Sequence, residues 1–435
     1  MTRFGAFTPD QPQSVNFVLW ADDCLLHFSE AEWTAKQRED HEANIVLTAM
    51  LQVALTYMGR NKDYAALHDT FKQSPWCETL RLYNQIFRDL FDDVIPESHY
   101  HFHPREAFYQ SVALDQSPAE LLGLYMVSGS NLCLHGDPAA WALSQRVNSK
   151  MHFATTAPAA GIPVPETLVT SKSSLGERAA RSFFERHASS GVMVKVQGLA
   201  GARNVIAVQS LEQAQTYVAD FSNDLDVLLQ QRLDTDSYTE MTVDLKIADD
   251  GIEITNVRQI LFAEGLWVGN YISDRLALSE RQRDVCMAVG RYVRELGYTA
   301  PEGLNCGIDY FVRGDDIVVI EINARWTGGL FPAELLKRLQ AEHEHSVAFM
   351  DVISESRLPD YLEFMQAHLH PGGGFRMVPM GFSPFPQDID GTARVYMWQV
   401  VIGDYEAFKL AKNAALGASE LPTADAITLP FSTEA

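Results

Sequence analysis

The stretch that most restricts the fold is Asn305 to Gly329, NCGIDYFVRGDDIVVIEINARWTGG, which ends in an alternation of apolar and polar residues. Side chains along a strand take turns between its two faces. Val318, Ile320 and Ile322 are then expected to enter a core, and Glu321, Asn323 and Arg325 to share the opposite face. Charges beside a buried strand are costly unless they meet a partner. The preceding strand, 305–312, carries Asp309. With Gly314, Asp315 and Asp316 as a three-residue turn, position 313 pairs with 317, and 309 pairs with 321. The two carboxylates then stand ~5 Å apart between Cβ atoms. Such a pair repels unless a cation lies between. Two carboxylates and an amide form an oxygen set suited to Mg2+, which shares its shell with substrate phosphates. One step further, the Arg325 guanidinium could hold a transferring phosphoryl group. The alternative is a surface hairpin with Glu321 and Arg325 as a same-face ion pair.

A second cluster lies upstream. In strand 191–197, Lys195 faces away from Val192, Val194 and Val196, and the strand runs into Gly198-Leu199-Ala200-Gly201-Ala202-Arg203. Small residues let backbone N–H groups approach phosphate oxygens and let a loop move. A glycine-containing turn with a snorkelling lysine is the plainer reading. No GxxxxGK[ST] occurs, so this is not a P-loop, and no GxGxxG marks a dinucleotide fold. Lys150 sits at the start of a helix capped by Asn148 and Ser149, where it either reaches a phosphate or is solvated. Residues 227–233 read as a strand whose backbone, with the amides of Gln230 and Gln231, could meet a ligand, or only as ordinary strand polarity. In strand 239–247, Met241, Val243, Leu245 and Ile247 point inward. Glu240, Thr242, Asp244 and Lys246 share the other face, which either lines a cleft or is wet. His99, His101 and His103 alternate without a fourth metal ligand and read as a polar strand face.

The 435 residues suffice for two or three domains. A net charge of -23 argues against an extended nucleic-acid or anionic-membrane surface. The five cysteines are widely spaced and include no CxxC, which suits a reducing cytoplasm. No secretory signal opens the sequence, and no apolar run approaches the ~20 residues of a membrane span. Residues 1–145 read as an α/β domain with a strand at 15–20, helices at 30–60 and 76–92, and a strand running into a turn at 131–138. Strands and helices mix from 146 to 370. Helices are expected near 332–345 and 350–368. Pro371-Gly372-Gly373-Gly374 reads as a linker, and 375–435 as a small appended α+β unit.

In order along the chain, NSK at 148–150, GIPVPE at 161–166, VMVKVQGLAGA at 192–202, LLQQRL at 228–233, YTEMTVDL at 238–245, GIDYFV at 307–312 and EINARWTGG at 321–329 resemble the ATP-grasp superfamily. The resemblance covers roughly 146–345. It implies an α/β pre-ATP-grasp domain followed by two α+β subdomains, 146–235 and 236–370, that clasp ATP. It further implies that Lys150 and Lys195 bind phosphates under the 198–203 loop with Gly198 and Gly201, that Gln230, Gln231 and Leu233 flank adenine, and that Glu240 contacts the nucleotide. Asp309, Glu321 and Asn323 match the metal ligands, and Arg325 matches the arginine of the acyl-phosphate stage. Gln230 stands where many members have Glu, and Asp309 has a shorter reach than the alternative Glu. With LHGDPAAWALSQRVNSKMHF, the layout is similar to the pheganomycin-type peptide ligases.

The expected chemistry is formation of an acyl phosphate from ATP and a carboxylate, an amino acid or peptide, followed by attack of an amine. The alternatives are another acceptor (carboxylation, thioester or ester formation) or a non-catalytic nucleotide-binding protein. Arg258 could bind a substrate carboxylate or form a structural ion pair. Asn270, Trp326 and Gly328 are expected near a substrate pocket. Neither a monomer nor a homodimer is singled out.

Overall fold

The computed structural model describes residues 2–4, 12–23, 26–27, 33–115, 117–197, 204–221, 225–263, 266–417 and 427. Three sheets follow one another along the chain.

The first is parallel and is built from β1 (Thr2–Phe4), β2 (Val15–Val18), β3 (Tyr64–His68), β4 (Tyr100–His103) and β5 (Leu121–Leu124), in the order β1-β5-β2-β3-β4. Parallel neighbours need crossovers, and α1 (Ala35–Met58), α2 (Trp76–Leu90) and α3 (Phe108–Leu114) supply them. A Thr34–Gln37 capping box starts α1, satisfying backbone N–H groups that have no partner inside the helix. The order reverses between β2 and β5. In an open α/β sheet that reversal leaves a crevice at the carboxyl ends of the strands, and here Asp22, Asp23 and Tyr125 lie at those ends.

The connection to the second sheet differs from expectation at 131–138. That stretch is not a strand. It forms the short α4 (Leu132–His135), then Asp137, which caps α5 (Pro138–Val147). Ser149 caps α6 (Lys150–Thr156) as expected, and a 3-10 turn carries the chain to Gly161. The antiparallel second sheet has the order β6 (Thr167–Ser171), β9 (Asp226–Gln231), β7 (Val192–Val196), β8 (Val205–Val208). Val192, Val194 and Val196 pack under α7 (Arg178–Arg186) and α8 (Leu211–Val218). Lys195 therefore faces the opposite side.

The third sheet has nine strands: β10 (Thr239–Ile247), β11 (Ile252–Ala263), β12 (Leu266–Ile272), β13 (Leu304–Arg313), β14 (Asp316–Asn323), β15 (Ser346–Ser354), β16 (Phe375–Phe382), β17 (Gln387–Ile389) and β18 (Thr392–Gly403). Their order is β14-β13-β10-β11-β12-β15-β18-β16, with β17 beside β18. The remaining helices are α9 (Glu280–Glu295), α10 (Leu330–Arg338), α11 (Leu358–Ala367) and α12 (Tyr405–Leu416). The inward face of β10 is the one expected, and it packs with Cys286, Val289 and Val293 of α9.

Residues 346–354 correct the second expected helix near 350–368. SVAFMDVIS is a central strand, and the helix starts only at Leu358. From residue 375 the chain has the expected α+β make-up, and its strands continue the third sheet. Gly381 of β16 meets α1 so closely that an added Cβ would lie 2.2 Å from the Met50 carbonyl oxygen. Among the described residues no helix is long and apolar enough to cross a membrane.

Candidate functional site

The β13–β14 hairpin brings Asp309 opposite Glu321, by a route other than the expected one. The turn has two residues, Gly314 and Asp315, so Arg313 pairs with Asp316 and not with Ile317. A bulge between Asp309 and Tyr310 on the pairing then leaves Ile320 unmatched and restores the register. An extra residue switches the faces of a strand. Hence Ile317 and Val319 are core residues before the bulge, and Ile322 and Ala324 after it, while Val318 and Ile320 are half-buried. The expectation that Val318 and Ile320 fill the core is corrected by that switch.

The polar face of β10, β13 and β14 carries a dense charge set. Lys150 Nζ reaches Glu321 Oε2 at 2.9 Å from the start of α6. Lys195 comes from the second sheet and is close enough to Lys150, Glu321, Glu240 and Asp309 to be influenced by their charges. Burial, then the Lys150 charge, pushes the Lys195 ammonium down to about 8. Burial and the neighbouring Glu321 lift Asp309 to about 6. Burial also lifts Glu321, but Lys150 and Lys195 outweigh it and hold that carboxyl below its usual range. Glu240 is raised to about 8 by burial and by Asp309. Shifts of this kind gather where carboxylates are brought together for a ligand.

Two features suit a cation. Asn323 Nδ2 donates to Asp309 Oδ2 at 2.9 Å, which leaves Asn323 Oδ1 buried with no hydrogen-bond partner. Two carboxylates and this orphaned oxygen are hard ligands of the Mg2+ type. Among the described residues no group of three or more His, Cys, Asp or Glu side chains is arranged to hold a metal. The alternating histidines follow suit: His101 pairs with Asp115, and His103 Nδ1 lies 3.0 Å from Ser111 Oγ.

Arg325 lies at the end of β14, buried, and its partners come from elsewhere. Its Nε donates to Tyr125 Oη at 3.0 Å, one terminal nitrogen donates to Asn148 Oδ1 at 3.1 Å, and the other lies 3.1 Å from Asp23 Oδ1. The same-face ion pair with Glu321 is not formed, although the Glu321 charge acts on the guanidinium. Asn148, read as a helix cap, instead holds residues 324–325, its Oδ1 accepting from Ala324 N at 2.9 Å. His27 touches the amide of Gln197 at 3.0 Å, and burial with the Arg325 and Lys150 charges depresses its imidazole to about 4. Asp23, Tyr125 and His27 were not singled out as site residues from the sequence. The only available signal was an acidic pair following a strand of an α/β domain.

The remaining expected residues divide. Gln230 Nε2 donates to Thr167 Oγ1 at 3.2 Å across the β6–β9 pair, Gln231 N donates to the Glu166 carbonyl at 2.8 Å, and Leu233 is half-buried just beyond β9. Gly198 and Gly201 lie outside the described residues. Asn270 is buried on β12 opposite Ala348. Arg258 is 1% exposed and its terminal nitrogen meets Asp244 Oδ2 at 2.6 Å, so the ion pair, left open as an alternative, is present. Trp326 turns away from the cleft. It packs on Phe17 and Tyr125 with ring centroids 6.1 and 6.4 Å away and belongs to the core beneath the first sheet. Its apolar bulk is better buried there than on a polar face. Gly328 lies against Trp267, whose ring would be 3.3 Å from an added Cβ.

This architecture, a parallel α/β domain followed by two antiparallel layers facing one another across a charged cleft, is the ATP-grasp fold. No family model matches the chain, and no curated protein sequence matches it. Solved structures do. The chain is similar to the N5-carboxyaminoimidazole synthase of Aspergillus clavatus in complex with ADP and 5-aminoimidazole ribonucleotide, at 12% identity over 93% of this chain and 96% of that one, with a TM-score of 0.54. It is similar also to the N5-carboxyaminoimidazole synthetase of Staphylococcus aureus, at 10% identity over 96% and 100% of the two chains, again with a TM-score of 0.54. At such identities the likeness concerns the fold.

Proposed function

We propose that the chain is an ATP-dependent ligase that activates a carboxylate as an acyl phosphate and joins it to an amine, releasing ADP and phosphate. The observation that carries this function is the convergence of Lys150 and Lys195, from different layers, on Asp309 and Glu321 beside the unpartnered Asn323 Oδ1. Two ammonium groups flanking an oxygen ligand set suit a nucleotide triphosphate chelated by a cation.

Asp309, Glu321 and Asn323 would hold Mg2+, which when bound neutralises phosphate charge. Lys150, no longer tied only to Glu321, and Lys195 would contact phosphate oxygens. Gln230, Gln231 and Leu233 would flank the base, Glu240 the sugar, and the Gly198–Gly201 loop the phosphates. The substrate carboxylate attacks the γ-phosphorus, the bond to the β-phosphate oxygen breaks, and ADP is the leaving group. A neutral amine then attacks the acyl carbon, the carbon–oxygen bond to phosphate breaks, and the amine loses a proton. Arg325 would offset charge on the phosphoryl group in transfer. Positioning and preorganised charge supply most of the acceleration in such reactions.

An amino acid or peptide is the carboxylate we favour, as in the pheganomycin-type peptide ligases that the segment from Leu134 to Phe153 resembles. Asn270, Trp326 and Gly328 are assigned to the substrate side, Trp326 only as a support behind the pocket. A second function has its own support. The likeness to carboxyaminoimidazole synthases runs through all three layers, and carboxylation of an amine would use bicarbonate at the same site. The described cysteines are unpaired thiols, which agrees with a reducing, cytoplasmic setting.

The test is mass spectrometry of ATP-dependent products from pooled amino acids and small peptides, run with and without bicarbonate, alongside ADP release. An amide product without bicarbonate is expected. A product requiring bicarbonate selects the second function, and ATP binding without ADP release from any pool discards both.

A further inference from the structure

A guanidinium has five N–H donors. In Arg325 three are engaged, one each by Tyr125, Asn148 and Asp23. Tyr125 Oη itself donates to Asp23 Oδ2 at 3.2 Å, so arginine, tyrosine and aspartate close a ring. The holders are anchored in turn. Asn148 Nδ2 donates to the Ser144 and Ala324 carbonyls at 2.9 and 3.3 Å, and Trp326 N donates to the Tyr125 carbonyl at 3.3 Å. All four side chains are buried. Asp23 and Tyr125 follow strands of the first sheet, Asn148 precedes α6, and Arg325 lies two residues beyond β14. One N–H remains on each terminal nitrogen, the pair that takes a phosphoryl or carboxylate bidentately.

A ring of this kind does two things at once. It removes the rotamer freedom that an arginine loses on binding an oxyanion, and it leaves the guanidinium short of full pairing by two donors. Were the ring only a tie between domains, nothing would require the arginine to stand next to Lys150 and Glu321.

We propose that Asp23 and Tyr125 are positioning residues of the reaction. They fix Arg325 so that its two remaining N–H groups meet the phosphoryl group in transfer, and they make that geometry depend on the first domain. The proposal rests on the ligase function above.

The full-length protein, labelled with 15N-arginine, provides a readout independent of turnover. The Arg325 Nε–H signal is assigned by its loss in Arg325→Lys. It should exchange slowly with solvent in the wild type, at least about tenfold faster in Tyr125→Phe, which removes the acceptor of that N–H, and faster also in Asp23→Asn, which removes the ion pair that holds the guanidinium still. In ADP release, Asp23→Asn should lower kcat about 10²-fold, as for loss of one preorganised donor, with KM for ATP within about twofold. In an Arg325→Ala background the same substitution should lower kcat no further. Should Asp23→Asn not fold, Tyr125→Phe, which keeps the ion pair, carries the same cycle. Equal losses in both backgrounds, or wild-type kcat with only a lowered Tm, overturn the positioning role alone. Absence of ADP release by the wild type with every acceptor removes the ligase function, and this role with it.

Discussion

Two charged clusters share one face of the nine-stranded sheet, two residues apart along β10 and β13, the one around Asp244 buried and the one around Asp309 and Glu321 half-buried, and they are completed differently. In the first, Asp244 accepts from Arg258 at 2.6 Å, from Thr327 Oγ1 at 2.9 and 3.1 Å, from Asn256 Nδ2 at 3.1 Å and from Asn305 Nδ2 at 3.3 Å. Donors from four residues surround that carboxylate, while Arg258 Nε and Asn256 Oδ1 in the same cluster are buried without a hydrogen-bond partner. In the second, around Asp309 and Glu321, two carboxylates face each other, one of them lifted to about 6, and an amide oxygen has no partner. Native interiors satisfy almost all of their buried polar groups. The difference lies in the carboxylates: Asp244 meets a guanidinium and neutral donors of its own chain and ties strands together, whereas Asp309 and Glu321 stand opposite one another with two ammonium groups beside them, an arrangement suited to a ligand that brings both a cation and phosphate.

The largest expected effect separates the two clusters by stability. Asp244→Ala leaves Arg258 buried without a counter-charge and should destabilise the fold by about 3–5 kcal/mol, read by urea unfolding. A loss below about 1 kcal/mol would erase the distinction between the clusters.

Next comes activity. Asp309→Asn removes a ligand for the cation and should lower ADP release about 10²–10³-fold, comparable to removing one preorganised group. Stability should stay level or rise, because repulsion with Glu321 is relieved and an amide can still bond with Asn323. If unfolding instead shifts as far as in Asp244→Ala while turnover persists, Asp309 is structural.

How far these clusters were visible beforehand follows from the range of the forces. The alternation at 320–325 and the aspartate five residues upstream of Gly314 are local facts, and they placed Asp309 beside Glu321. The bulge was not legible, because nothing in Val318-Val319-Ile320 distinguishes one apolar residue from the next. The correct pairing was reached because a turn one residue shorter and a bulge one residue longer cancel. Residues 346–354 failed for a related reason: a continuous apolar run reads as a buried helix or a central strand alike. The partners of Arg325 were out of reach. Asp23 and Tyr125 lie about 300 and 200 residues upstream, and no periodicity links them to β14. Trp326 was misplaced because its neighbour points into the site, and only the packing of Phe17 and Tyr125 against its ring shows that it does not.

A smaller and finer contrast lies within one dipeptide. Asp22 and Asp23 are both buried, but Asp23 faces Arg325, whereas Asp22 is held by neutral donors only: Ser128 and Ser130 Oγ at 2.7 Å each, and the Tyr109 hydroxyl. Burial outweighs those hydroxyls and raises Asp22 to about 7, against an ordinary value of 3.8. The folded chain therefore keeps a proton that the unfolded chain releases. Its contribution to stability is complete below pH ~4, declines as pH rises toward 7 by at most about 1.4 kcal/mol per pH unit, and is constant above that. Asp22→Asn keeps an acceptor for the hydroxyls and removes the titration. The unfolding free energy of the wild type minus that of the variant should thus fall between pH 5 and 7 and level off by pH 8, all other groups cancelling in the difference. A difference that stays flat across this range would mean that Asp22 is ionised in the folded chain, and that three hydroxyls can do for a buried carboxylate what Arg325 does for its neighbour.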